Sequence, residues 1–445
     1  MSLNCKIAVA SLGCAKNLVD TENMLGLLAD DGYTFVSAPE DADVILVNTC
    51  AFIGDAKEES INTILDMAQY KQDGNCKLLI VTGCLAERYH EEIKKELPEV
   101  DAVVGTGDFA GICDVIRDAM EGERVCLYGH SETFALDKMP RLLTTPSHYA
   151  YLKIAEGCDN KCTYCVIPSL RGKYRSRTVE DILDEAQRLA DSGVKELILI
   201  AQDTTRYGID LYGEYALPKL LEHLCEIDGI AWIRLHYCYP EAVTDALLDT
   251  IASNHKLLPY FDIPIQHASD TILKRMGRKT NKAQLVTLIN KIRDKIPGAA
   301  LRTSLIVGFP GETRADFAEL FDFVAQMRFD RVGVFAYSKE ENTPAARLDK
   351  QVDTRTKQRR KEKLMALSQV ISLEKNGAKA GSVIEVICDG FDAESMLYFG
   401  RSYADSPGVD SLVYFGAEAE VAPGELVKVK VLCAQEYDLM GEMVL

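Results

Sequence analysis

The stretch "YAYLKIAEGCDNKCTYCVIP", residues 149–168, sets an apolar run against a loop in which Cys158, Cys162 and Cys165 are separated by three residues and then by two. The run reads as a strand, and the cysteines fall just past its C-terminal end. Three thiolates on one short loop grip three corners of a 4Fe-4S cube, whereas complete clusters use four cysteines. The fourth iron is then left open, like the free position of a catalytic zinc site, to bind a substrate or cofactor. The competing readings are zinc and unligated buried thiols. Zinc wants a fourth nearby Cys or His, and none lies in this loop.

Downstream, "ELILIAQD", "WIRLHYC", "YFDIPIQ", "LRTSLIVGFP" and "RVGVFAYS" continue as strands, with helical stretches such as "VEDILDEAQRLADSG" and "RADFAELFDFVAQM" between them. Six such units fit a partial (β/α) barrel with functional residues at the C-terminal strand ends, although periodicity alone does not separate that from an open sheet. Upstream, "KIAVASLG", "DVILVNTC", "LLIVTGC" and "AVVGTG" alternate with helical runs, the pattern of a parallel sheet buried on both faces. Residues 131–147, with two prolines and no period, read as a linker. A charged helix, "TRTKQRRKEKLMALSQVISLEKNG", precedes a strand-rich end. There Val427, Val429 and Val431 alternate with Lys428 and Lys430, as in a small antiparallel barrel. The expected division is an α/β chain with a parallel-sheet domain over 1–140, a barrel over 141–350, a linker helix over 351–377 and a small barrel over 378–445.

Composition narrows the class. At 445 residues and 47% hydrophobic, the chain is long enough for several cored domains. No long uninterrupted apolar run and no basic-then-apolar leader is present, so a soluble cytoplasmic protein without membrane contact is expected. Fourteen cysteines in that setting point to metal or redox chemistry rather than disulfides. The net charge of −18 argues against an overall polyanion-binding surface and suits a basic partner.

A second set of thiols lies upstream. Cys14, Cys50 and Cys84 each follow a predicted strand of the parallel sheet, so all three belong to the edge where such sheets bind ligands. Gly13 and Gly83 allow close backbone approach there. The alternative is that these are free cysteines buried at strand ends.

The segments "SLGCAKNLVDTE", "ADVILVNTCAFIGDAKEESI", "VTGCLAERY" and "KIAEGCDNKCTYCVIPSLRGKYRSR" together resemble the methylthiotransferases of the radical S-adenosylmethionine class. The likeness is greater to the branch that modifies an aspartate of small-subunit ribosomal protein S-twelve, and it runs through essentially the whole chain. It departs at Ala15, where the family often has proline. The resemblance implies a methylthiotransferase domain, a radical barrel and a C-terminal TRAM barrel. It also implies two 4Fe-4S clusters, one held by Cys14, Cys50 and Cys84 to carry an exogenous sulfur, the other by Cys158, Cys162 and Cys165. The latter would cleave S-adenosylmethionine to a radical that abstracts hydrogen from an unactivated carbon, chemistry that no acid or base could supply.

The same resemblance marks weaker candidates. Tyr164 precedes the last cysteine of the loop, and Gly308, Gly311 and Glu312 in "VGFPGET" resemble a cofactor-contacting strand end. A plain strand-to-helix turn, with Glu312 in the first helical turn, reads equally well. Gln202, Asp203 and Gln266 end barrel strands and are candidates to bond the ribose or methionine end, while His267 reads as structural. Cys5, Cys76, Cys113, Cys126, Cys225, Cys238, Cys388 and Cys433 show no ligand spacing and are expected to be buried thiols. The basic run "TKQRRKEK" is expected to be a solvated helix face.

Two further functions compete. The transfer-RNA branch of the family methylthiolates an adenosine in the anticodon loop, and an iron-sulfur storage or sensor protein would bind clusters without turnover. Residues 376–445 hold four basic residues (Lys379, Arg401, Lys428, Lys430) against twelve acidic ones, a net of −8. An RNA-gripping barrel would be basic, so a lysine- and arginine-rich ribosomal protein is the expected substrate and nucleic acid is not. Flavodoxin or ferredoxin is the expected electron donor.

Overall fold

The computed structural model describes residues 5–131 and 138–444; residues 132–137 of the expected linker, and the first four residues of the expected leaderless start, lie outside them. The first sheet contains β1 (Lys6–Ser11), β2 (Thr34–Phe35), β3 (Val44–Thr49), β4 (Leu78–Gly83), β5 (Ala102–Val104) and β6 (Val125–Leu127). They lie in the order β2-β1-β3-β4-β5-β6, all parallel. β3 and β4 are buried at every position, because side chains from both of their faces pack under helices. The edge strands β2 and β6 are two and three residues long, too short to show a period. Strand order reverses beside β1, so the turns after β1 and β3 flank the crevice where such sheets take ligands.

The second sheet begins with β7 (Tyr149–Lys153). A short antiparallel pair, β8 (Ala155–Glu156) and β9 (Arg175–Ser176), then brackets the cysteine loop. It continues through β10 (Glu196–Ile200), β11 (Trp232–Leu235), β12 (Leu257–Asp262), β13 (Ala300–Val307) and β14 (Arg331–Ala336), in the parallel order β14-β13-β12-β11-β10-β7. β14 and β7 do not pair, so the barrel is open. Alternate residues such as Leu197, Leu199, Ile233, Leu235, Phe261, Leu301 and Leu305 share the core with the outer helices. The opposite, inward face carries Lys153, Glu196, Arg234, Asp262 and Arg302.

That charged face is filled from two directions. From the N-terminal domain, the helix Ala15–Asp30 packs Val19 on Ile198 and Ile200. From the C-terminal domain comes the segment 402–410. His236 shares a hydrogen bond with Ser406 (2.7 Å), Tyr260 donates to Asp410 (2.6 Å), and Arg331 pairs with Asp405 (2.5 Å). Arg234 donates to the Tyr403 carbonyl (2.6 Å).

That C-terminal domain is a closed barrel of β15 (Val383–Asp392), β16 (Leu397–Arg401), β17 (Val413–Gly416), β18 (Leu426–Ala434) and β19 (Leu439–Val444). The expected antiparallel pattern holds except between β17 and β19, which run parallel. Val427, Val429 and Val431 face in while Lys428 and Lys430 face out.

The long helix Thr354–Gly377 is capped by Asp353, which accepts from the Thr356 N–H at 2.9 Å. Within the basic run, Gln358, Arg359, Glu362 and Lys363 face solvent as expected, and Arg360 alone is buried. Leu364 and Ile371 enter the barrel core, and Arg360 is buried against Glu312 at 3.1 Å. No described helix is long and apolar enough to cross a membrane.

Glu196 joins the two barrels. It accepts from Arg234 at 2.7 Å and from Arg401 at 2.5 Å, with all three side chains at most 1% exposed. Burial alone would raise its carboxyl pKa; Arg401 and Arg234 overcome that and hold it below the ordinary range. A depressed folded pKa gives stability that is complete above the unfolded value and is lost as pH falls through the folded one. Glu196→Gln leaves buried guanidinium groups under-paired and is expected to cost about 3 kcal/mol near neutral pH. The difference from wild type should shrink at strongly acid pH, as read from urea unfolding across a pH series.

Candidate active site

Cys14 precedes the helix Ala15–Asp30, Cys50 follows β3, and Cys84 opens the helix Cys84–Glu96 immediately after β4. Three adjacent strands thus deliver three thiols to one edge. Gly13 and Gly83 both hold φ of +90°. A Cβ on Gly13 would stand 2.8 Å from the Cys50 Cβ and 3.1 Å from its Sγ. Side chains tie the turns laterally. Asn17 donates to the carbonyls of Leu12 (2.7 Å) and Thr49 (3.2 Å), and Asn48 donates to the Asn17 carbonyl and the Thr21 hydroxyl, both at 2.8 Å. Burial pushes the Cys84 thiol up to about 12 against the pull of Arg171, with Cys14 and Cys50 adding to the rise.

In the second loop, Gly157 at φ +79° leaves room for the Lys173 carbonyl, which a Cβ would meet at 2.0 Å. The Cys158 N–H donates to Gly172 O at 3.1 Å, and the Thr163 N–H to Met276 O at 2.9 Å, fixing both arms of the loop. The Tyr239 hydroxyl lies 3.2 Å from Cys162 Sγ, and Arg278 reaches the same sulfur at 3.9 Å while stacking 4.2 Å over the Tyr239 ring. The Ile167 N–H donates to Cys165 Sγ at 3.4 Å. Burial raises Cys158 to about 11 and Cys165 to about 12; bound iron would reverse this by stabilising the thiolates. A cavity of about 290 Å³ opens beside Cys162, between Asn160, Tyr239 and Arg278.

Arg171, 3% exposed, connects the two regions. Its Nη1 donates to Asp20 (2.5 Å) and Glu156 (3.2 Å), and its Nη2 to Asn17 (2.9 Å) and to Cys84 Sγ (3.6 Å). Lys153 binds the same two carboxylates, Asp20 and Glu156. Glu156 lies two residues before Cys158, so one buried network contacts Cys84 and holds the backbone at the start of the second cysteine loop. A second tie lies further out, where Glu340 takes Lys57 (2.9 Å) and Arg88 (2.8 Å) from the N-terminal domain.

Each donor set is made of three thiols, a chemistry that fits iron-sulfur ligation. Among the described residues no three His, Cys, Asp or Glu side chains gather as one ion would require, whereas cube corners present three different irons. A guanidinium aims at Cys84 in the first set, and O–H, guanidinium and N–H groups lie against Cys162 and Cys165 in the second, as cluster thiolates are commonly supported.

The other sequence candidates divide. Gln202 donates to Glu156, and its Oε1 is buried without a donor, free to accept from a ligand. Tyr164 packs edge-on to Phe309, with ring centroids 6.4 Å apart. Asp203 is spent on holding the loop, accepting from Asn160 (2.9 Å) and Thr205 (2.7 Å). Gln266, at φ +72°, is joined to β13 through its backbone. Gly308 and Gly311 make room for Lys357 and Arg275, whose atoms a Cβ would meet at 2.3 and 2.9 Å. Glu312 accepts from the Phe309 N–H (3.0 Å) and faces Arg360; it lies in a strand-to-helix turn but ahead of the Thr313 cap, not in the first helical turn as expected. His267 is structural, accepting from the Ser269 N–H at 2.9 Å. Of the eight unassigned cysteines, Cys433 is exposed and Cys113 and Cys126 are half-buried, while the other five are buried as expected.

Arg171, Asn17, Asp20, Lys153, Glu156, Tyr239 and Arg278 were not singled out by spacing. Asn17, Asp20 and Arg171 stood only as polar residues inside "GCAKNLVDTE" and "SLRGKYRSR", and Lys153 and Glu156 inside "LKIAEGC", while Tyr239 and Arg278 lie far in sequence from all six thiols and carried no signal.

Residues 6–105 match the uncharacterized protein family UPF0004, 152–324 the radical SAM superfamily and 380–444 the TRAM domain. Among solved structures, the radical S-adenosylmethionine methyltransferase TsrM from Kitasatospora setae, with cobalamin and a 4Fe-4S cluster bound, aligns at a TM-score of 0.54. It does so over 77% of this chain and 74% of that one with 13% identity, a likeness of fold alone. An open parallel barrel with a three-cysteine loop after its first strand defines a radical S-adenosylmethionine protein. Two relatives bear the name ribosomal protein uS12 methylthiotransferase RimO. That of Lachnoclostridium phytofermentans is 53% identical over 436 residues, covering 98% of this chain and 99% of the relative. That of Clostridioides difficile is 52% identical over 438 residues, 98% of each. The chain belongs to the RimO family of methylthiotransferases.

Gly13→Ala forces a Cβ into positive φ and against Cys50. It should destabilise the protein by about 1–3 kcal/mol and lower iron uptake, as read by thermal unfolding and iron assay.

Proposed function

We propose that this protein is a radical S-adenosylmethionine methylthiotransferase that inserts a methylthio group into an aspartate of small-subunit ribosomal protein S-twelve. The observation that carries the reading is the pair of three-thiol sites joined through Arg171, in a chain whose relatives of nearly equal length bear that name. Cys158, Cys162 and Cys165 would hold one 4Fe-4S cluster, and Cys14, Cys50 and Cys84 a second. When bound, the first supplies a hydrogen-abstracting radical from S-adenosylmethionine and the second an open iron for the incoming sulfur. The chain's own residues prepare that chemistry. Asn160 and Asp203 brace the first loop, Tyr239 and Arg278 shield Cys162, and Gln202 Oε1 offers an acceptor to a ligand's N–H or O–H. Working divisions are 1–140 for the methylthiotransferase domain, 141–350 for the radical core, 351–377 for the connecting helix and 378–445 for the TRAM barrel.

Charge supports a protein substrate. Glu385, Glu394, Glu418, Glu420, Glu425, Glu436 and Glu442 are exposed on the C-terminal barrel. Arg401, one of its four basic residues, is consumed by Glu196 and Asp389. Such a surface repels RNA and steers a basic ribosomal protein in the cytoplasm. A flavodoxin- or ferredoxin-type donor would reduce the cluster.

The test is an anaerobic reconstitution with iron, sulfide, S-adenosylmethionine and reductant, offering a ribosomal-protein peptide and an isopentenylated transfer RNA together. A methylthio increment on the peptide aspartate alone, read by mass spectrometry, is expected; an increment on the RNA alone overturns the substrate. Alanine at Cys158, Cys162 or Cys165 should abolish 5′-deoxyadenosine release. Alanine at Cys14, Cys50 or Cys84 should spare that release while abolishing the methylthio product and lowering bound iron.

A further inference from the structure

Beside the first thiol set lies a buried cation that no carboxylate pairs. Lys16, two residues after Cys14, is only 8% exposed, and its Nζ stands 3.3 Å over the ring of Tyr237. Asp20, one helical turn on, would be its ordinary ion-pair partner. Both Asp20 oxygens are already engaged, Oδ1 by Lys153 and Oδ2 by Arg171. The oxygens of Glu156 are engaged too. Oε2 is held by Lys153 and Arg171, and Oε1 by Gln202 and the Gly157 N–H. Two buried carboxylates therefore face three buried cations, and the third is Lys16. Among the described residues no ion pair reaches it.

Its aromatic support is deliberately placed. Tyr237 follows β11 in the left-handed region at φ +58°, with its N–H fixed to Asp262 at 3.0 Å. Such backbone persists where the surroundings enforce it, often at ligand sites. A ring face is a favourable neighbour for an ammonium, but it does not neutralise the charge, and lysine is almost never buried without a partner.

We propose that Lys16 is the anchor for the side-chain carboxylate of the substrate aspartate. This rests on the substrate reading above and deepens it. In an aspartate side chain the only carbon bearing hydrogen is Cβ, bonded directly to the carboxylate. Pinning the carboxylate on a fixed ammonium holds Cβ within one bond of a fixed point beside the Cys14 turn and selects aspartate over asparagine, whose neutral amide leaves the buried cation unpaired.

The experiment uses the full chain, reconstituted anaerobically, and two fluorescent peptides of the ribosomal protein that differ only in Asp or Asn at the target position. Anisotropy titrations should show wild type binding the Asp peptide roughly 10- to 100-fold more tightly. Lys16→Gln should bind both peptides with one weak affinity, and Lys16→Arg should keep the preference. Iron content and S-adenosylmethionine affinity are measured alongside. A preference that survives in Lys16→Gln, or is missing in wild type, overturns the proposal. So does a Lys16→Gln protein that loses iron or S-adenosylmethionine, since the lysine would then serve a cluster or the cofactor. Wild type that fails to modify the Asp peptide at all overturns the substrate reading itself. Modification by wild type with unchanged discrimination in the variant overturns this inference alone.

Discussion

The guanidinium of Arg171 is the contact on which the active region depends. It is fully enclosed, it comes from the helix that ends the second cysteine loop, and every one of its partners but Glu156 belongs to the N-terminal domain. Buried ion pairs add little net stability compared with apolar packing, yet removing one partner is expensive. Their value here is geometric. An apolar interface tolerates sliding by a fraction of a side chain, whereas four directional contacts on one planar group admit a single register of domain on barrel. That register fixes the spacing of the two thiol sets, on which any chemistry shared between them depends.

The interior of the open barrel follows the same logic. Most parallel barrels fill their inside with branched apolar residues. Here the inward positions of β7, β10, β11, β12 and β13 include Lys153, Glu196, Arg234, Asp262 and Arg302; Glu196 pairs with Arg234 and Asp262 with Arg302 inside the barrel, and Asp20, Arg401 and Asp410 from other domains complete the set. The barrel is therefore a socket as well as a catalytic scaffold. Its outer face obeys ordinary hydrophobic patterning, while its inner face is satisfied only in the assembled chain.

This division explains what the sequence showed. The long strands were legible because β3, β4 and β10 are buried throughout and read as unbroken apolar runs. The six thiols were legible because strand ends and loop spacing put them on edges where ligands bind. Asp203, Gly308, Gly311 and Glu312 were legible as unusual residues at the right strand ends, but not as what they do. Their partners Asn160, Lys357, Arg275 and Arg360 lie from one to several elements away in the sequence, and only folding reveals that they occupy those groups. Lys16 and Arg171 were hidden for the same reason, since a charged residue near a cysteine carries no mark of being buried. In the basic helix only Arg360 departed from the solvated face, because it sits among residues that do face solvent, such as Arg359 and Lys363.

The segment 402–410 has a consequence for how the protein is made. Arg234, His236, Tyr260 and Arg331 lie on strands synthesised long before the loop that satisfies them. A nascent chain that has completed β14 holds a barrel whose inner wall still lacks the Tyr403 carbonyl for Arg234, Ser406 for His236, Asp410 for Tyr260 and Asp405 for Arg331. It closes only when the last tenth of the polypeptide leaves the ribosome. A chain cut short there leaves those polar groups without their partners, so the loss reaches the interior of the barrel and not only an appendage.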